Sequence, residues 1–338
     1  MFLTTFSDLV KEVKNNERYI NNLELAERHV KLLEYNVPRG KLIYPLTMVA
    51  FYKLIEDPHK LTQENVQLSM VLAWCTQMLF TCFIISDDII DSSEIRQGLP
   101  CWHLLENVGI QAINDKILLE NGIHTILKRH LENHHSYVPA IELFHKLSTV
   151  LTLGQTLDAL SYKNGVIDFD TFNIDFYRLI SKYKTCSLFV FPIRLASHFS
   201  SQCDNKFHEW AERFFQRMGH YFHIQNDFFD CFGDPLITGK NGTDIQEGRC
   251  TWLITNAMQR ASSKQKIILR QNYGKSNPQS IAAVRTIYEE LDLPKLYAST
   301  EDDTYNTLQS DIQMLPQTSR GFFDQFLDRI HRRTGQTY

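Results

Sequence analysis

The stretch QENVQLSMVLAWCTQMLFTCFIISDDIID, from Gln63 to Asp91, decides the fold. Its apolar residues fall on nearly every side of a helix rather than on one stripe, which marks a buried helix. That helix runs into carboxylates. In DDIID, Asp87 and Asp91 are four apart and Asp88 and Asp91 three apart. On a helix they share a face, separated by about 6 Å of rise. Desolvated, unpaired carboxylates are costly, so a buried helix that ends in acids needs a cation to neutralise them.

A second stretch behaves alike. HEWAERFFQRMGHYFHIQNDFFD, His208 to Asp230, becomes apolar towards its end and closes on NDFFD, where Asn226 and Asp230 are four apart. Asp234 continues that row only if the helix persists through Gly233. One acidic cluster alone reads equally well as a solvated helix end; two, each closing an apolar helix, point to hard cations with oxygen ligands. Mg2+ suits them, because it keeps several waters and is completed by substrate phosphates. Lys184 and Thr185 in KYKTC, Lys240 in TGKNGTD and Arg96 after the first cluster are polar partners for a diphosphate, though each singly fits a surface residue as well. Magnesium with lysines stabilises a departing diphosphate, and catalysis of such an ionisation is electrostatic.

Working outward, the 338 residues are 43% hydrophobic and 22% charged, a globular profile. A net charge of -4 gives no electrostatic support to a nucleic-acid partner, and the basic end (Arg329, Arg332, Arg333) is short. Seven scattered cysteines without a C-x-x-C pair argue against a disulfide framework or a zinc site. The N-terminus lacks a basic n-region, so a cytoplasmic protein is expected, compatible with a removed organellar leader. The apolar core MLFTCFIIS is shorter than the about 20 residues a bilayer demands, so no membrane span is expected. Turn residues punctuate the chain near Pro38, Pro58, Pro100, Gly165, Pro235 and Pro278, with helix-length segments between them and no repeat or linker. FVFPI around Pro192 is β-rich locally. The expectation is an all-α chain forming one domain, 1–338.

The sequence resembles the farnesyl diphosphate synthases, of the trans-isoprenyl diphosphate synthase family. The matching stretches are LEYNVPRGKL, WCTQMLF...SDDIIDSSEIRQGLPCW, GQTLDAL, KYKTC, FHIQNDFFDCFGDPLITGKNGTDIQEGRCTWL and YEELDLP, in family order from about residue 30 to near residue 330. The resemblance implies the isoprenoid synthase fold, a single large helical bundle around a central cavity, commonly a homodimer. It implies that Asp87 and Asp91 bind Mg2+ with Asp88 in support, that three ions gather once diphosphate is bound, and that Gln155, Asp158, Lys184, Thr185 and Lys240 line the allylic diphosphate site. Residues four and five before the first motif, Phe83 and Cys82, help set chain length; the small Cys82 favours a C15 substrate over C10.

Departures from the family pattern fall on its second site, the metal-free one for isopentenyl diphosphate. Gly40 and Lys41 of its loop remain, but the loop arginine is Tyr44, the helix glutamine is Phe80, and the second arginine of the R-R-G triplet is Gln97 after a retained Arg96. Without two arginines to bond a charged group, binding weakens by about 3–6 kcal/mol, or roughly a hundred- to ten-thousandfold in affinity. In the second motif Asn226 replaces an aspartate; an amide oxygen still ligates Mg2+ but adds no charge. This combination resembles insect terpene synthases of farnesyl diphosphate synthase descent. The expected activity is ionisation of farnesyl diphosphate, with the cation closing on its own double bonds to a sesquiterpene hydrocarbon or alcohol. Phe80, Phe83, Phe222 and Tyr44 are candidates to stabilise it through their π faces. The alternatives are a short-chain isoprenyl diphosphate synthase, or a non-catalytic regulatory subunit of such an enzyme. Asp87→Ala is expected to abolish release of diphosphate, measured as inorganic pyrophosphate formed, whereas Asn226→Asp keeps much of it; full activity in both contradicts the metal assignment.

Overall fold

Every residue from Ser69 to Cys82 is buried in helix α4 (Gln63–Ile90), as its all-round apolarity requires. Its hydroxyls bond to the helix's own carbonyls: Thr76 to Leu72 at 3.0 Å and Thr81 to Gln77 at 2.9 Å. No buried donor is left for water to satisfy at those two positions. Thr62 caps the start, its side chain accepting from the Asn65 N–H. The computed structural model describes residues 1–15, 22–163, 166–202, 204–238 and 242–331. Lys240, Cys203, Arg332 and Arg333 lie outside them.

The chain divides into two compact units, residues 1–149 with 188–212, and residues 150–187 with 213–337. In the first, α4 packs against α1 (Phe2–Lys14), α3 (Ile43–Ile55) and α5 (Ala112–Leu131), and α1 also meets α2 (Leu23–Asn36). Trp74 of α4 anchors α1: its ring stacks on Phe2 at 4.5 Å, and its indole N–H donates to the Phe2 carbonyl at 2.9 Å. A two-stranded hairpin, β1 (Ile95–Arg96) and β2 (Leu99–Pro100), follows α4. Gln97 and Gly98 turn it with φ of 54° and 76°, the paired positive values a two-residue hairpin favours.

Helix α6 (Tyr137–Ala159) leads through a second hairpin, β3 (Tyr162–Lys163) and β4 (Val166–Ile167), to α7 (Ile174–Ser181). There the chain does something the periodicity does not announce. Lys182–Cys186 forms a π-turn before α8 (Ser187–Phe199). The locally β-rich FVFPI is helical, with Pro192 inside α8 and its neighbours Phe189 and Ile193 in the core; burial overrides local propensity. Helix α9 (Asn205–Phe232) carries the second acidic cluster. In the second unit, the short α10 (Pro235–Thr238) and α11 (Asp244–Glu247) precede α12 (Trp252–Arg260), α13 (Ser263–Asn272), α14 (Pro278–Glu290), α15 (Leu293–Gln313) and α16 (Gln317–Ile330). Its core gathers Tyr177, Ile224, Trp252, Leu253, Tyr273, Tyr288 and Tyr297, with Phe228 stacked flat on Tyr297 at 3.8 Å.

Among the described residues the chain is all-α apart from the two hairpins, as expected. One expectation needs correcting. Helix α4 is 28 residues long with a mean hydropathy of 1.9 over its most apolar window, so by length and composition it could cross a membrane; 83% of that window is buried in the protein. Counting MLFTCFIIS alone understated it.

Two glycines hold the π-turn. A Cβ at Gly219 of α9 would stand 2.6 Å from the Cys186 Cα, and one at Gly154 of α6 would stand 3.0–3.1 Å from Lys184 and Tyr183 atoms. Gly219→Ala is therefore expected to cost about 1–3 kcal/mol, read as a lowered Tm. Gly321→Ala, on α16 with nothing within 4 Å of the new methyl, is the control and should be neutral or stabilising by up to about 1 kcal/mol. Equal Tm values would refute the clamp.

Candidate functional site

In the first unit, the final turn of α4 sorts its three aspartates. Asp88 is buried and accepts from Arg96 Nε at 2.8 Å; Arg96 Nη2 also lies 3.5 Å from Asp87 Oδ2. Burial pushes the Asp88 carboxyl up, and Arg96 only partly pulls it back. Burial disfavours the Arg96 charge, but Asp88 and Asp87 outweigh it and raise its pKa. Asp88 thus orients Arg96, while Asp87 and Asp91 stay half-exposed one turn apart. They sit at a helix C-terminus, where the backbone dipole already carries partial negative charge. The pair fits a hard cation completed by water and phosphate oxygens. Among the described residues, no three His, Cys, Asp or Glu side chains form a ready-made metal cage.

The substituted positions around this cluster are packed. Gly40 and Leu42, at φ of 75° and 51°, bend the loop that carries Lys41 and delivers Tyr44 to the first turn of α3. The Tyr44 ring meets Phe80 at 4.7 Å and Phe189 at 5.3 Å, edge-on to both at 89° and 90°. Phe80 is 4% exposed and also meets Phe191 edge-on. Arg39 stacks over Tyr35 at 3.6 Å. A small cavity of about 30 Å³ remains, lined by Tyr35, Arg39, Gln77, Asp88, Arg96 and Gln97 among others. Cys82 is wholly buried, its thiol 3.5 Å from the Lys116 carbonyl of α5, and Lys116 sits over the Phe83 ring; both residues are engaged with α5.

In the second unit, Asp158 of α6 is buried and takes two cations, Lys184 Nζ at 2.7 Å and Arg249 Nη1 at 3.2 Å. Arg249 is held from its other side by Glu247 at 2.9 Å. Gln155 lies one turn before Asp158 on α6. Thr185, beside Lys184 on the π-turn, bonds His223 of α9 at 2.7 Å, and Ser181 bonds His220 at 2.9 Å. Asp227 is buried and accepts from the Trp252 backbone N–H at 2.8 Å; burial still pushes its carboxyl up to about 7. Asp230 accepts from the Asp244 N–H at 2.9 Å, and Asn226 is half-buried. Helix α9 ends at Phe232, and Asp234 caps α10 through the Leu236 N–H, so it leaves the row of Asn226 and Asp230.

Arg249, Asp227 and His223 escaped the sequence reading. Asp227 was visible as the first acid of NDFFD. Arg249 stood in the matched stretch EGRC, but nothing in the sequence brings it to Asp158, 91 residues away. His223 looked like one polar residue in an apolar run.

A family model described as polyprenyl synthetase matches residues 27–291. Among curated proteins, the chain is 37% identical to a farnesyl pyrophosphate synthase of Murgantia histrionica over 99% of this chain and 81% of that protein. It is 36% identical to one of Nezara viridula, over 99% and 82%, and 37% identical to one of Bos taurus, over 92% and 89%.

The histidines beside the π-turn give a pH signature. Burial lowers His220 from 6.5 to about 4, with Arg178 adding to the effect. Between those values the unfolded chain binds the proton and the folded one does not, so this contribution is complete above pH 6.5 and falls as pH drops. Lowering pH from 7 to 5 should therefore destabilise the protein by about 2 kcal/mol through this group. Urea unfolding at both pH values should show that increment missing in His220→Gln; an unchanged difference would disprove it.

Proposed function

Because the chain belongs to the polyprenyl synthetase family, we propose that it is a magnesium-dependent enzyme that ionises an allylic prenyl diphosphate. One observation carries this: two carboxylates, Asp87 and Asp91, stand one turn apart at the negative end of a buried helix, an arrangement that suits a hard cation completed by phosphate oxygens. Magnesium held by these carboxylates would supply charge stabilisation to a departing diphosphate. In the first unit Asp87 and Asp91 on α4 would offer oxygen ligands; in the second, Asn226, Asp227 and Asp230 on α9 would do so. Arg96 holds Asp88 and adds positive charge next to Asp87. Lys184 and Arg249, fixed by Asp158, hold the leaving group, with Lys240 assigned the same role from the family resemblance.

The bond the cation forms next has two readings. The names of the relatives, farnesyl pyrophosphate synthases, favour condensation with isopentenyl diphosphate, and they lend no support to a sesquiterpene-forming enzyme. One feature of this chain favours the second reading. Tyr44, Phe80 and Gln97 stand where the family places two arginines and a glutamine, and Tyr44 packs edge-on against both Phe80 and Phe189. A diphosphate finds aromatic side chains at 44 and 80 and an amide in place of a guanidinium at 97, and each hydrogen bond it fails to make costs about 1.5–3 kcal/mol. The geometry therefore supports a cation that closes on itself, loses a proton or takes up water.

Two incubations with Mg2+ separate the readings. Gas chromatography–mass spectrometry after geranyl, farnesyl or geranylgeranyl diphosphate alone should show a volatile terpene, strongest from farnesyl diphosphate. Radiolabelled isopentenyl diphosphate with geranyl diphosphate should leave the farnesyl diphosphate fraction unlabelled. Efficient labelling establishes the condensing enzyme instead, and silence in both assays favours a non-catalytic subunit.

A further inference from the structure

The contact between Thr185 and His223 has a direction that decides what Thr185 can hold. A neutral imidazole carries one N–H, on either ring nitrogen. If Nδ1 is bare, the Thr185 hydroxyl must donate to it, and the threonine presents only lone pairs to whatever lies beyond. Lone pairs repel an anion. If Nδ1 carries the hydrogen, Thr185 accepts from it and keeps its own proton for a further acceptor.

We propose that His223 is a positioning residue that donates from Nδ1–H to Thr185 Oγ1 and so aims the threonine's proton at a diphosphate oxygen. This rests on the assignment of Thr185 to the diphosphate site made above. The geometry around the pair supports it. At 2.7 Å the contact lies within hydrogen-bond range for either donor. The segment is braced: His220 and His223, three apart on α9, grip Ser181 and Thr185, four apart on the facing segment, at 2.9 and 2.7 Å. Gly154 and Gly219 admit that segment so closely that it has little room to shift. Finally, Lys184, next to Thr185, would draw the anion to this side. Burial first, and the Lys184 charge second, lower His223 from 6.5 to about 3, which leaves the ring with a single proton to place. Tyr177, 5.4 Å from that ring, limits its rotation.

The test uses the full chain and inorganic pyrophosphate with Mg2+, titrated calorimetrically. His223→Leu and Thr185→Val should each weaken binding about tenfold, as expected for one hydrogen bond to a charged group. The double variant should bind no worse than the weaker single, because the two residues form one device. His223→Gln, which restores a donor, should bind within about twofold of the wild type. Nitrogen NMR of histidine-labelled protein should show Nδ1 of His223 protonated, a readout independent of any variant's folding. Wild-type protein that fails to bind pyrophosphate removes Thr185 from a diphosphate site, and this proposal with it. If wild type binds and His223→Leu binds equally, if the single effects multiply in the double variant, or if Nδ1 is unprotonated, the proposal is overturned while the diphosphate site stands.

Discussion

Carboxylates at the negative end of a buried helix have to be answered by positive charge, and much of the local architecture follows from that demand. On α4 the protein answers with an arginine of its own. Arg96, carried on the hairpin directly after the helix, reaches back to Asp88. The same guanidinium lies 3.5 Å from Asp87, one turn before Asp91. The hairpin is thus part of the acidic motif: its first strand carries Arg96 back to the helix it follows.

The second unit meets the same demand by different means. Asp227 and Asp230 are answered by backbone N–H groups, of Trp252 and Asp244, each from a segment that follows α9 in sequence. Asp158 is answered by two cations at once. A carboxylate shared by a lysine and an arginine keeps both heads in register, and the π-turn sets the lysine's place by pressing between two glycines.

The helical framework was legible because burial writes itself into composition: a run with no polar face, such as Ser69–Cys82, has only one place to go. The acidic ends were legible because the spacing of carboxylates on a helix is local information. Lys184 could be named from its neighbours, but its π-turn could not, since that turn arises from the closeness of Gly154 and Gly219 in space. Arg249 and His223 were hidden for a related reason. Each matters through a partner far along the chain, and an arginine or histidine in a polar setting carries no mark of which partner it meets. The apolar stretch was also cut too short, because its serines, threonines and glutamines were weighed as polar although two of the threonines bond only to their own helix.

The edge-on packing of Tyr44 with Phe80 and Phe189 bears on how such a chain can change over generations. Interlocked rings make each position depend on the others: an arginine introduced at 44 alone would bring its charge against two phenyl rings, and a glutamine at 80 alone would leave Tyr44 beside a hollow. Either step alone costs packing that a joint change would spare. Substitutions here are therefore constrained as a set, by shape before chemistry.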